Sequence, residues 1–80
     1  MGVRFVREEY HVFVTATTAH IEETDYITYG ITICSEEGVA SVNNLSTNFV
    51  EVNALCARLR RGRLSPRHLR DVVEDWFAGG

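Results

Sequence analysis

Three histidines, two cysteines and eleven carboxylates are the side chains through which this 80-residue chain could do chemistry. His11, His20, His68, Cys34 and Cys56 are all zinc-ligand types. A structural zinc site gathers its ligands in short repeats such as Cys-x-x-Cys or His-x-x-x-His, and no two of the five stand at such a spacing. No metal and no other cofactor are expected. A cysteine nucleophile needs a base and an oxyanion hole, and nothing local to Cys34 or Cys56 supplies either. Asp71, Glu74 and Asp75 are spaced as the polar side of a helix, which makes them a solvated face rather than an acid–base pair. There is no glycine-rich phosphate loop and no dinucleotide fingerprint. The expectation is a protein that is not an enzyme.

The arginines are the sharper feature. All eight Lys+Arg positions are arginine, and six of them, Arg58, Arg60, Arg61, Arg63, Arg67 and Arg70, fall within thirteen residues, whereas the formal net charge is −3. Two helices joined by a short basic turn invite comparison with a helix-turn-helix reader of DNA. Each arginine also has a local explanation: Arg58, Arg60 and Arg61 complement a helix C-terminus, and Arg67 with Asp71 and Arg70 with Glu74 are i, i+4 ion pairs. The negative net charge, the absence of lysine and helices spent on covering a sheet weigh against nucleic acid.

Composition bounds the rest. With 45% hydrophobic and 24% charged residues and a single proline, the chain reads as one soluble globular domain over residues 1–80, with room for one modest core. Two cysteines without a spacing motif make a poor disulfide framework, so reduced thiols are expected. No run approaches the roughly 18 apolar residues of a membrane span, and no membrane partner is expected. Met1-Gly2 lacks the Ser or Thr of a myristoylation site, because Val6 stands there. With no targeting signal, the cytoplasm is the expected compartment.

The elements that would position these groups are organised around Asp25 to Cys34. There Asp25, Ile27, Tyr29, Ile31 and Ile33 alternate with Thr24, Tyr26, Thr28, Gly30 and Thr32, a period of two that predicts a strand with a buried isoleucine face. Tyr10, Val12, Val14 and Ala16 alternate with His11, Phe13, Thr15 and Thr17 in a preceding strand, which Val3 to Val6 would extend across Arg7-Glu8-Glu9. Thr18 to Thr24 reads as a solvated connection. Ser35-Glu36-Glu37-Gly38 predicts a turn into a short third strand, Val39 to Val42, ended by Asn43-Asn44. Phe49, Val52, Leu55, Cys56 and Leu59 then follow helical spacing, starting at Ser46 or Asn48 and closing on a left-handed Gly62. Leu69, Val72, Val73, Trp76 and Phe77 line a second helix, with Ser65 as cap and Pro66 at the first helical position. The fold predicted is α+β: a three-stranded antiparallel meander covered on one face by a C-terminal helical hairpin, in the order β-β-β-α-α.

Tyr29-Gly30-Ile31, Asn44-Leu45-Ser46-Thr47 and above all Leu64-Ser65-Pro66-Arg67-His68-Leu69, continuing through Asp71-Val72-Val73-Glu74-Asp75, resemble a family of short clostridial proteins catalogued only as a domain of unknown function. The resemblance covers about residues 26–78 and implies a small bacterial, cytoplasmic protein. It brings no catalytic or binding residues with it.

What remains is association. A meander covered on one side leaves its other face open, and Phe13, Tyr26, Thr28 and Thr32 are assigned there, an aromatic and threonine surface without charge. The edge strands lack the lysine or proline that blunts pairing. The expected function is a protein-interaction module, acting as a homodimer or on a protein partner. A small nucleic-acid-binding regulator using the arginine turn is the alternative.

Overall fold

The alternation around Ile31 becomes the central strand of a three-stranded antiparallel sheet. In the computed structural model, which describes residues 9–79, β1 (His11–Ile21), β2 (Thr24–Ser35) and β3 (Gly38–Ser46) lie in the order β1-β2-β3. The chain continues as α1 (Phe49–Gly62), a 3-10 turn (Pro66–His68) and α2 (Leu69–Phe77), which completes the expected β-β-β-α-α order of an α+β fold. The segment Val3 to Val6 lies outside the described residues.

Register decides which side chains share a face. Val12 pairs with Ile33 and Val14 with Ile31, while Ile31 and Ile33 pair in turn with Val42 and Ala40. Paired residues project to the same side, so these six form one apolar face. α1 lies against all three strands on that side, and α2 with the turn before it lies against β3. Val12, Ile31, Ile33 and Leu45 close with Val52, Leu55, Cys56 and Leu59 of α1 and Leu69 and Val73 of α2 into one core. Ile27 has the right parity but is half exposed, because the helices do not reach that far along β2.

Three boundaries differ from the sequence expectation, each for a backbone reason. Thr18 to Ile21 is strand rather than connection, and β1 and β2 are joined by Glu22 and Glu23 alone, at φ 50° and 66°. Two left-handed residues in succession are what a two-residue hairpin needs to match strand twist, and glutamate is a costly residue for the task. β3 does not stop at Asn43-Asn44. It bulges there, with Asn44 at φ 59°, and resumes so that Ser46 pairs with Tyr29. Gly62 is the last residue of α1, and Arg63 takes the left-handed position (φ 48°). The Arg63 and Leu64 amides donate to the Arg60 and Leu59 carbonyls, both at 3.2 Å, which closes the helix as a Schellman motif.

At the other end of α1 the ambiguity resolves to Asn48, whose side chain accepts from the Val50 and Glu51 amides at 3.0 and 3.3 Å. Ser46 helps by accepting from the Asn48 amide, and Val50 is exposed, so it does not pair with Leu45 as a staple. Ser65 is not a side-chain cap. Its carbonyl accepts from the His68 amide at 3.0 Å while its hydroxyl donates to Glu37 in the turn between β2 and β3. α2 therefore begins only at Leu69, and Phe77 at its end stays exposed instead of joining the core.

The bulge in β3 and Gly30 are one feature. A Cβ on Gly30 would stand 2.2 Å from the Val42 carbonyl oxygen and 2.8 Å from the Asn43 Cα, so only glycine admits the approach. Gly30→Ala is expected to destabilise the fold by about 2 kcal/mol or more, since rigid backbone must shift. Replacing Glu22-Glu23 by Asn-Gly should stabilise it by about 1 kcal/mol, because left-handed strain is removed without loss of a contact. Urea midpoints of the two variants, moving in opposite directions from the parent, check both.

Candidate functional site

The helix-free face of the sheet follows from the same register. His11, Cys34 and Val39 form its first row, then Phe13, Thr32 and Ser41, then Thr15 with Gly30, Thr17 with Thr28, Ala19 with Tyr26, and Ile21 with Thr24. Across these rows there is no carboxylate and no arginine. The charges of the β1–β2 ribbon lie on the other side: His20 Nδ1 and Asp25 Oδ1 meet there at 2.5 Å. The face is polar without carboxylates or arginines, since Thr15, Thr17, Thr24, Thr28, Thr32 and Ser41 stand on it.

The face is not evenly bare. Phe13, Val39 and Ile21 are 43%, 68% and 55% exposed and Tyr26 is half-buried, as a docking surface requires. Thr28 and Thr32, expected to be open, are buried at 4% and 9%. The reason is the bulge: β3's backbone crosses the Cβ side of Gly30, which is the side of both threonines. Thr32 Oγ1 shares a hydrogen bond of 2.7 Å with Ser41 Oγ, and Thr28 Oγ1 donates to the Ser46 carbonyl at 3.5 Å. The Thr15 hydroxyl is buried beside Gly30 without a partner. The surface thus has two exposed parts, one around Phe13 and Val39 and one on the ribbon around Tyr26 and Ile21.

The arginine cluster divides. The Arg60 guanidinium donates to the Val12 carbonyl at 2.8 Å and to Cys56 Sγ at 3.5 Å, which closes one stretch of the β1 edge. Arg63 stacks over the Tyr10 ring, 4.8 Å from its centre. Arg58, Arg61, Arg67 and Arg70 are exposed, and among the described residues neither Arg67–Asp71 nor Arg70–Glu74 closes to an ion pair. Cys56 is buried, which pushes its thiol above the ordinary range; Arg60 offsets part of this. A protonated buried thiol is a poor nucleophile. Cys34, half-buried on the open face, is also unbridged. His68 is exposed, and the described residues contain no group of three His, Cys, Asp or Glu placed to hold a metal ion.

Tyr10 has a role that periodicity, which read it only as one position of the first strand's alternation, did not show. Its hydroxyl donates to the Leu64 carbonyl at 2.7 Å, with the Leu59 carbonyl at 3.4 Å, and so ties the start of β1 to the end of α1. It borders a half-open pocket of about 250 Å³ with Glu9, Ser35, Glu36, Glu37, Arg63 and Ser65. A second, shallower depression of about 480 Å³ lies between the helices over Leu45 and Ser46, bounded by Glu51, Ala54, Trp76 and Phe77. The Tyr10 phenol is pushed above its ordinary value of 10.0 by burial, with Arg63 opposing, so it stays neutral and serves as a donor.

Because the folded phenol holds its proton more tightly than the unfolded one, its contribution is complete below the unfolded value of 10.0 and is lost as pH rises through the raised folded value. Tyr10→Phe is expected to cost about 1 kcal/mol at neutral pH by leaving the Leu64 carbonyl without its donor. It should also flatten the loss of stability between neutral pH and the alkaline range. Denaturant midpoints of parent and variant across that range test both statements.

No curated protein and no solved structure matches this chain. One family model does, and it spans nearly the whole sequence, residues 3–79, reaching well before the motifs that first suggested a relationship. The chain belongs to the family of unknown function DUF6514.

Proposed function

We propose that this chain is a non-enzymatic protein-interaction module that works by self-association or by taking a protein partner on the helix-free face and edges of its sheet. The observation that carries this reading is the sorting of charge. A face that only meets water gains nothing from excluding carboxylates and arginines, whereas a face that docks avoids burying an unpaired charge. Phe13 and Val39 at one end and Tyr26 and Ile21 at the other are the side chains from which docking would remove the most apolar surface. The family resemblance and the unbridged thiols support a cytoplasmic setting in a clostridial bacterium.

Light scattering over roughly a hundredfold range of concentration, repeated with host lysate proteins captured on the immobilised chain, tests the reading. The parent is expected to self-associate or to retain a specific partner, and Phe13→Ser or Tyr26→Ser should weaken that association about tenfold or more. A strict monomer that retains nothing, or binding indifferent to both substitutions, would overturn it.

A second reading rests on a separate observation: Arg58, Arg61, Arg67 and Arg70 are exposed and form no ion pair among the described residues. They could meet phosphates. Four such contacts would give weak binding of duplex or single strands, with a salt slope of roughly −3 to −4. Arg58→Gln, Arg61→Gln and Arg67→Gln together should flatten that slope. The absence of any shift with either probe at low salt would remove this reading.

A further inference from the structure

The bulge at Gly30 has an effect beyond burying two threonines. β2 is the central strand of the sheet, yet β3 pairs with it only from Tyr29 to Ser35. From Thr24 to Thr28, β2 has β1 on one side and, among the described residues, no strand on the other. Thr28 is buried at 4% with its hydroxyl on the Ser46 carbonyl, so the open part of this edge is a notch from Thr24 to Ile27, in line with β3. Strand addition to such an edge is a standard mode of recognition, because unpaired amides and carbonyls supply the attraction.

We propose that this notch is filled by a second copy of the chain, which adds its own Asp25–Ile27 antiparallel to ours about a twofold axis through Tyr26. The proposal deepens the interaction-module reading and rests on it. The fit is set by two stops. An added strand cannot run past Ile27, because Thr28 is already covered and bonded to Ser46, and β2 itself cannot run back past Thr24, because the chain turns at Glu22-Glu23. With Tyr26 on the axis, Asp25 of one copy faces Ile27 of the other, so the pairing ends inside both stops. An isologous contact needs this self-complementarity.

Side chains agree with the register. Tyr26 meets Tyr26 on the uncharged face, and Asp25 faces Ile27 on the other, so no like charges stand directly opposite. Each Asp25 keeps His20 of its own ribbon as partner at 2.5 Å. The exposed Ile27 gains a neighbour in a place its own helices do not reach. The outer edge of β1 is a poorer site: Arg60 occupies it at Val12, and beyond that point nothing fixes the register of an added strand. The product is a continuous sheet with the ribbons joined as β1-β2-β2-β1 in the middle.

The experiment uses the full chain with Cys34→Ser, so that buried Cys56 is the only native thiol. Antiparallel neighbours on an axis have Cα atoms about 4.5–5.5 Å apart, within disulfide reach. Tyr26→Cys should therefore yield a covalent dimer on mild oxidation. Ala19→Cys should not, because it shares Tyr26's face and register but lies three strand spacings, roughly 14 Å, from its copy. Amide exchange on the unsubstituted protein gives an independent measure: alternate amides in Asp25–Ile27 should slow as concentration rises and quicken on dilution. Cross-linking at both positions or at neither, or exchange indifferent to concentration, overturns the edge pairing. If these fail while Phe13→Ser still weakens association, the module reading stands and only the notch is refuted.

Discussion

The Val42 carbonyl oxygen lies where a side chain on Gly30 would begin, 2.2 Å from the ideal Cβ position. Much of the molecule follows from that approach. Because β2 has no side chain there, β3 can bulge across it, with Asn44 in the left-handed region making the bend. The bulge delivers Leu45 into the core and Ser46 to its place opposite Tyr29, from which Ser46 supports the Asn48 cap of α1. Phe49, the first residue of that helix, sets its ring edge-on to Tyr29 at 5.3 Å. A larger residue at position 30 would displace the start of the helix as well as a strand.

At the opposite end the joint is polar. Tyr10, beside β1, donates to the Leu64 carbonyl past the end of α1, and Arg60 of α1 donates in the other direction to the Val12 carbonyl of β1. Part-buried carbonyls at a helix end and a strand edge need donors, and these two side chains provide them without another element. Arg63 completes the joint by accepting left-handed backbone, a strain of about 1 kcal/mol, while its guanidinium lies over Tyr10. Two of the six clustered arginines are thus structural, and Arg58, Arg61, Arg67 and Arg70 face solvent.

Between the two joints the sheet is left with an uncharged face and a ribbon longer than its covering. That surface is what the proposed interaction module rests on. The thiol in the core is held protonated by burial. Tyr26 and Ile21, at the far end of the ribbon, and Phe13 and Val39, near the joint with α1, bracket a centre that β3 has already closed.

Periodicity alone was enough to sort the side chains of Val12 to Thr17 and of Thr24 to Cys34 between the two faces and to separate the core positions of α1 from its polar ones, since alternation and helical spacing are fixed by backbone geometry, but it left out Thr18 to Ile21 and the end of β3. It was enough for the order of elements and for the turn at Gly38 (φ 137°) as well. It could not say how far the helices extend over the sheet, which is why Ile27 reads as core and is exposed. Nor could it say where a neighbouring backbone passes, which is why Thr28 and Thr32 read as open and are buried. A glycine inside a strand was the available sign of a bulge, but the identity of the crossing strand is a matter of contact between residues twelve or more apart. The left-handed positions at Glu22, Glu23 and Arg63 fell to residues whose types give no hint of them, because tertiary pairing imposed the turn and outweighed the local preference. The hydroxyl of Ser65 was claimed by Glu37 in a distant turn, and no local rule of capping could anticipate a partner brought there by the fold.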